Sequence, residues 1–242
     1  MEFLHHEIFG KGPPIIAIHG FLVTGEMYYP LLEHYTKDFQ VILPDLRGYG
    51  QSKDLPGPYT IRQHAADIVS LMKYLDIPKA HILGYSKGGL VAQQLAVDYP
   101  ERVETLVLAC TFAYRSHSVL ERLQRKVVPT AIERLGAKGL AKMITQDFAG
   151  GPYIDETIFA DYKRMVYSNR DDRIVDGAVA LLNYDIRHRL NEIKADTLIV
   201  SARNDRVVFS HHHEILITGI PQARHLMFDI LCYIRTQKSL PP

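Results

Sequence analysis

Apolar and polar residues form two kinds of pattern along this chain, and each pattern predicts one type of secondary structure. Continuous apolar runs rich in β-branched residues and bounded by turn residues indicate strands buried on both faces. The predicted strands are 3–9, 15–18, 39–43, 81–83, 103–110, 195–202 and 223–229. Apolar residues spaced three or four positions apart indicate amphipathic helices instead. The predicted helices are 27–35, 60–75, 86–99 and 210–217.

The order of these elements predicts a fold class. Helices separate most of the strands, and strands that alternate with helices form a parallel sheet covered on both faces. From 112 to 187 the rhythm changes, because no buried strand appears and apolar residues recur only at helical spacing. We therefore expect an α/β protein with a doubly wound, mostly parallel sheet, whose core comprises 1–111 and 188–242. The stretch 112–187 is predicted to form a helical cap insertion, broken by a glycine-proline turn at 150–152.

Composition and charge restrict the classes of partner. The chain has 242 residues, 47% of them hydrophobic, and a formal net charge of +1, which gives no indication of nucleic acid as a partner. Neither a signal peptide nor an apolar run long enough to span a bilayer is visible, so a membrane is not expected as a partner either. Cys110 and Cys232 do not have metal-ligand spacing and are interpreted as reduced, which favours a cytoplasmic location. No cofactor is implied, because a phosphate-binding glycine loop is absent.

The candidate chemistry begins at a Gly-x-Ser-x-Gly pattern formed by Gly84, Ser86 and Gly88. An apolar run precedes it and a helical pattern follows it, which is the strand-turn-helix context that makes this motif informative. Such a turn holds the serine in a strained conformation, and the glycines allow strand and helix to approach closely. The serine hydroxyl then lies at a helix N-terminus, where unpaired N–H groups and the helix dipole favour negative charge.

Several ordered motifs together resemble the α/β-hydrolase family over nearly the whole chain. His19-Gly20 is similar to the family's oxyanion-loop signature, and the stretch 45–52 to the loop after its next strand. The stretch 84–89 resembles the nucleophile elbow, 112–187 the helical cap, and 200–208 the strand and loop that carry the catalytic acid. The resemblance implies acyl transfer on a small-molecule substrate.

The resemblance also implies a role for each site residue. Ser86 is the nucleophile, and the backbone N–H groups of Phe21 and Lys87 bind the oxyanion. Asp205 orients and stabilises a histidine base, in the chain order serine, aspartate, histidine. The Lys87 side chain is expected to be a surface amine. Supporting roles fall to four residues of the two loops, His19, Gly20, Gly84 and Gly88.

The histidine base is not found where the family has it. Aligning the last strand puts Tyr233 at that position, and the family's final helix has no counterpart before Pro242. A frameshift, a truncation or true divergence after Asp229 would each produce this pattern. His225 is the nearest histidine and is therefore the candidate for the catalytic base, although strand alternation points it into one face of the sheet. Two hypotheses follow: a serine hydrolase acting on a small ester, lactone, thioester or amide, or a catalytically impaired, hydrolase-like binding protein.

Two further expectations concern surfaces. His211, His212 and His213 are adjacent, and adjacent residues on a helix point in different directions, so we interpret them as a solvated helix start without a metal. Without the final helix, the sheet is expected to expose apolar surface near its last strand. That surface predicts marginal stability or self-association.

Overall fold

The sheet consists of seven strands within the part of the chain that the structure describes. A computed structural model describes residues 3–115, 119–147, 156–203, 205 and 207–228. The strands are β1 (His6–Phe9), β2 (Pro14–Ile18), β3 (Gln40–Pro44), β4 (Ala80–Tyr85), β5 (Val103–Ala109), β6 (Asp196–Ala202) and β7 (Arg224–Phe228). Every strand predicted from the sequence is present, with ends displaced by a few residues.

The strand order is β1-β3-β2-β4-β5-β6-β7. β1 is antiparallel to β3, and all the other neighbouring strands are parallel. The predicted mostly parallel α/β sheet is therefore confirmed. β4 lies in the middle, with Gly84 beside Ile18 of β2 and Tyr85 beside Ala109 of β5. The residues that follow β2, β4, β5 and β6 consequently meet at one edge of the sheet, where ligands bind in open α/β folds.

The helices are α1 (Leu32–Tyr35), α2 (Ile61–Tyr74), α3 (Lys87–Asp98), α4 (Val119–Asp147), α5 (Glu156–Tyr167), α6 (Asp171–Leu182) and α7 (Ser210–Gly219). The helix predicted at 27–35 is largely a 3₁₀ helix, Gly25–Leu31, that continues into the short α1. Pro30 lies inside this 3₁₀ helix, and a proline ring disfavours a continuous α-helix because it clashes with the carbonyl four residues before it. Thr60 caps α2 by accepting a hydrogen bond from the Gln63 N–H at 3.1 Å.

The core lies on both faces of the sheet. Its largest cluster joins the β2–β6 side chains to α2, α3 and α7, and includes fully buried Ile16, Ile82, Leu95 and Leu106. α3 is buried along nearly its whole length, from Lys87 to Val97. A helix buried on all sides holds the residues at its first turn rigidly, and in this chain that turn follows Ser86.

The helices between β5 and β6 contact the loop that follows β2. Leu22 and Val23 of this loop form a buried cluster with α4, α5 and α6, through residues Ile132, Tyr162, Met165, Val166, Ile174 and Ala178. α4 is interrupted at Gly136, whose φ of 65° is not helical. The turn at 150–152 lies outside the described residues, and the cap boundaries 112–187 stay a prediction.

The last described strand has apolar side chains in contact with solvent. Leu226, Met227 and Phe228 are 51%, 41% and 43% exposed. The proposed absence of a final helix and the position of Tyr233 lie outside the described residues, so self-association stays a prediction. Cys110 is disulfide-bonded, so its interpretation as a reduced thiol is wrong. None of the described helices is both long and apolar enough to cross a membrane.

Candidate active site

Ser86 lies at a strained turn between β4 and α3. Its φ of 50° and ψ of −113° place it in the left-handed half of conformational space, which a residue with a side chain adopts at an energetic cost. Its N–H donates to the Ala109 carbonyl at 2.9 Å, and its own carbonyl accepts from the Thr111 hydroxyl at 2.7 Å. The residue is partly exposed, and its Oγ hydrogen-bonds no other residue that the structure describes. No described residue therefore competes with a substrate for this hydroxyl.

Close backbone approaches explain the glycines on either side of Ser86. A Cβ on Gly84 would lie 2.4 Å from the Gly88 carbonyl oxygen, and one on Gly88 would lie 2.0 Å from the Ile18 carbonyl oxygen. Both distances are too short for non-bonded atoms. A Cβ on Gly20, in the neighbouring loop, would lie 2.9 Å from the Tyr85 ring. The glycines thus permit the contacts that the sequence motif predicted.

His19 connects the loop after β2 with the loop after β3. Its Nδ1 lies 2.8 Å from the Gly20 carbonyl oxygen, and its Nε2 accepts a hydrogen bond from the Leu46 N–H at 2.9 Å. The ring is fully buried, and desolvation lowers its pKa to about 4 against the opposing effect of Asp45. A neutral imidazole with Nδ1–H satisfies both bonds. His19 therefore fixes the loop that continues into Phe21.

The proposed oxyanion donors are the N–H groups of Phe21 and Lys87. Neither donates to a backbone carbonyl within the part of the chain described. The Lys87 N–H is the first of α3, and the first N–H groups of a helix have no partner within it. Phe21 packs against Tyr49 and the cluster beneath α4–α6. Their binding of an oxyanion stays a prediction.

The side chain of Lys87 is buried, so its prediction as a surface amine is wrong. It is 0% exposed because α3 is enclosed on all sides. Its Nζ donates to the Tyr49 hydroxyl at 2.8 Å, lies 3.3 Å from the His64 Nε2, and sits 4.1 Å above the Tyr49 ring. None of these contacts carries a negative charge. Desolvation lowers the pKa of Lys87 to about 7, and burial also lowers the pKa of His64.

Asp205 lies in the loop after β6, as predicted. Its Oδ1 accepts hydrogen bonds from the N–H groups of Val207 and Val208, at 2.7 and 2.9 Å. Its Oδ2 accepts none from a described residue. Burial raises the pKa of Asp205 above its usual range, against these bonds and the charge of Arg115. Its charge also contributes, after burial, to the raised pKa of Tyr85, so the carboxylate lies in the electrostatic environment of the elbow.

His225 is not brought together with Ser86 and Asp205. It lies in β7, where its Nε2 is 2.6 Å from the Ser201 Oγ. Its ring lies 6.3 Å from that of His213 in α7, so it faces the side of the sheet that α7 covers. The described residues include no histidine that hydrogen-bonds Ser86 or Asp205.

The histidines at the start of α7 do not form a solvated turn. His212 and His213 are 0% and 2% exposed, and only His211 reaches solvent, so that interpretation is wrong. The cause is a contact with α4, whose buried Glu121 lies within ion-pair distance of both His211 and His212. Desolvation lowers the pKa of His212 to about 4 even though Glu121 opposes the shift. Sequence reasoning missed Glu121, because nothing local to α4 indicates its partner.

A cavity of about 600 Å³ lies away from these residues, between α2 and α6. Tyr59, Arg62 and Asp176 are among its lining residues, and neither Ser86 nor Asp205 lines it. It therefore has no evident part in chemistry at the elbow.

Known proteins resemble this chain along most of its length. The family model described as alpha/beta hydrolase fold matches residues 13–229. The "Putative carbamate hydrolase RutD" of Azorhizobium caulinodans is 28% identical over 229 residues, which cover 91% of this chain and 84% of that protein. The 3-oxoadipate enol-lactonase 2 of Acinetobacter baylyi is 27% identical over 215 residues, 84% of this chain and 76% of that protein.

A solved structure agrees with this assignment. The crystal structure of the enol-lactonase from Burkholderia xenovorans LB400 superposes with a TM-score of 0.85 at 26% identity, covering 93% of this chain and 88% of that one. The family match includes every strand from β2 to β7 and the whole elbow. The chain therefore belongs to the α/β hydrolase family of enzymes.

Proposed function

We propose that this chain is a serine hydrolase that cleaves a small carboxylic ester, lactone, thioester or amide through an acyl-enzyme on Ser86. The observation that carries the proposal is the strained, partly exposed Ser86 at the start of the buried α3, with φ of 50°. In such a turn the hydroxyl stands clear of its own backbone and can reach a substrate carbonyl. The relatives named for carbamate and enol-lactone hydrolysis support attack on an acyl carbon.

The reaction would begin with attack of the Ser86 Oγ on the carbonyl carbon. The C=O π electrons move onto oxygen, and the N–H groups of Phe21 and Lys87 are suited to stabilise the resulting oxyanion. One such donor contributes about 2.7–4 kcal/mol to the transition state. Collapse of the intermediate breaks the bond from the carbonyl carbon to the leaving oxygen, sulfur or nitrogen, which takes up the proton that the Ser86 hydroxyl has given up. An ester remains on Ser86, and in a lactone the leaving alcohol stays attached to the acyl chain. Water then releases the acid and restores the hydroxyl.

Labelling with a fluorophosphonate probe tests the nucleophile directly. We expect the wild-type protein to be labelled once and Ser86→Ala to remain unlabelled, because only an activated serine displaces fluoride from the probe. Ser70→Ala serves as the matched control, since Ser70 is exposed on α2 and donates to the Ala66 carbonyl. Mass spectrometry of the modified peptide locates the site. An unlabelled wild-type protein, or labelling that survives Ser86→Ala, would contradict the proposal.

A second candidate is a catalytically impaired, hydrolase-like binding protein. It is favoured because neither the Ser86 Oγ nor the Asp205 Oδ2 hydrogen-bonds a histidine in the described residues. The sequence alignment of the last strand, which puts Tyr233 at the position of the family's base, also supports it. Triad residues act as a unit, so loss of the base reduces turnover by up to about 10⁶-fold. The oxyanion hole and binding alone retain about 10³–10⁴-fold over water.

Tyr233→His distinguishes the two candidates. If the chain lacks its base, we expect the substitution to raise kcat for p-nitrophenyl acetate and for an enol-lactone by about 10²-fold or more, because a general base contributes about 10²–10⁴-fold. Tyr74→His, at an exposed position of α2, is the control and should leave kcat for both substrates unchanged. If the wild-type protein turns over substrate at a substantial rate and Tyr233→His does not raise kcat, the hypothesis of a catalytically impaired protein is rejected. Another group would then serve as the base.

A further inference from the structure

Glu121, His211 and His212 form a compact group that the chemistry at Ser86 does not use. Their ligand atoms all lie within 4.8 Å of one another. Glu121 comes from α4, and the two histidines come from the first turn of α7. Glu121 and His212 are 91 residues apart in the chain. The group therefore joins α4, which lies between β5 and β6, to α7, which follows the loop that holds Asp205.

The two histidine rings converge although adjacent helix positions usually diverge. Their centroids are 4.1 Å apart with an interplanar angle of 46°, and the Phe209 ring stacks against His211 with its centroid 6.0 Å away. His213 points away from the pair, since its ring faces His225 at 6.3 Å. The prediction that the adjacent histidine side chains point in different directions therefore holds for His213 but not for His211 and His212.

We propose that Glu121, His211 and His212 bind a divalent transition-metal ion, with Zn²⁺ as the best match. Two imidazoles and one carboxylate are an established zinc donor set that leaves a fourth position for water. Zinc bonds of about 2.0–2.2 Å in a tetrahedral arrangement separate ligand atoms by about 3.4 Å. The His211 Nε2 is 3.7 Å from the Glu121 Oε1 and the His212 Nε2 is 2.5 Å from it. Opening the second distance by under about 1 Å would complete the site.

The burial of the group suits a metal ion. Glu121 and His212 are fully buried, and His211 is 28% exposed, which leaves an access path on one side. A buried carboxylate requires a compensating positive charge. The charges of Glu121 and Asp205 both favour the charged form of Arg115, against the desolvation that lowers its pKa. A metal ion bound to Glu121 would therefore lie close enough to Arg115 for the two positive charges to compete for the same carboxylate.

Zinc titration of tag-free, chelator-treated protein tests the site without reference to activity. We expect isothermal titration calorimetry to show one Zn²⁺ per chain, and Co²⁺ to give the visible absorption bands of a four-coordinate ion. Zn²⁺ should also raise the melting temperature, because a ligand that binds only the folded state stabilises it. His211→Gln and Glu121→Gln should each weaken binding at least about tenfold.

Three controls make the test decisive. His213→Gln changes the neighbouring buried histidine outside the group and should leave Zn²⁺ affinity unchanged. Arg115→Gln removes the competing cation and should tighten binding. His211→Gln alters the partly exposed ligand, so it should remain folded even if Glu121→Gln does not. Absence of stoichiometric binding by the wild-type protein, or binding that His211→Gln leaves intact, would overturn the proposal and leave Glu121 and His212 as a buried hydrogen-bonded pair.

Discussion

Gly88→Ala is expected to destabilise the protein by about 4 kcal/mol or more, the largest stability loss of any single methyl addition considered for this chain. The new Cβ would lie 2.0 Å from the Ile18 carbonyl oxygen and 2.7 Å from the His19 carbonyl oxygen. Both are backbone atoms, one at the end of β2 and one in the loop that follows it, so no side-chain rotation can relieve the contact. Thermal unfolding followed by circular dichroism should show a melting temperature lowered by about 10 °C or more.

Gly57→Ala is the comparison for this prediction. Its Cβ would meet only the Tyr59 ring, at 3.2 Å, and a side chain at that distance can shift slightly. We expect a change within about 1 kcal/mol. A wild-type melting temperature for Gly88→Ala would mean that α3 does not approach β2 as closely as the elbow geometry requires.

Lys87→Met is expected to abolish a pH dependence of stability that the buried amine creates. The pKa of Lys87 falls from 10.5 to about 7 on folding because burial desolvates the charge. Below about pH 7 the amine is charged in both states, and the full cost of burying it is present. Between about pH 7 and 10.5 the unfolded chain binds more protons, so this cost diminishes as pH rises. From pH 6 to pH 9.5, the free energy of unfolding of the wild-type protein should therefore rise by about 3 kcal/mol relative to that of Lys87→Met.

Urea denaturation of both proteins at several pH values measures this difference. Comparing the two proteins at each pH cancels the titrating groups that do not interact with Lys87. Its charge also helps to lower the pKa values of His64 and His19, after burial, so the comparison is made above pH 6. The slope matters more than the offset, since Met also removes the hydrogen bond to the Tyr49 hydroxyl. Lys79→Met, which replaces an exposed lysine paired with Glu104, should give a difference independent of pH. A flat difference for Lys87→Met as well would show that the amine is solvated in the folded protein.

Local sequence predicted the sheet and the elbow because both depend on short-range rules. Buried strands appear as continuous apolar runs, and the serine turn requires glycine at fixed positions on either side of Ser86. The position of Asp205 after β6 came instead from the resemblance of 200–208 to the strand and loop that carry the family's acid. The segment around Pro30 was predicted less well, since it forms largely a 3₁₀ helix where helical spacing predicted an α-helix that a proline ring disfavours.

Neighbouring residues in the chain encode the parallel sheet and the strained turn at Ser86, and a family motif located the loop that holds Asp205. In contrast, packing between distant elements encloses Lys87, turns His225 toward α7, and brings Glu121 to His211 and His212. These three outcomes depend on which elements pack together across separations as large as 91 residues. Helical and strand periodicity specify the face on which a side chain lies, but the packed partner sets its exposure, its charge state and its ligands.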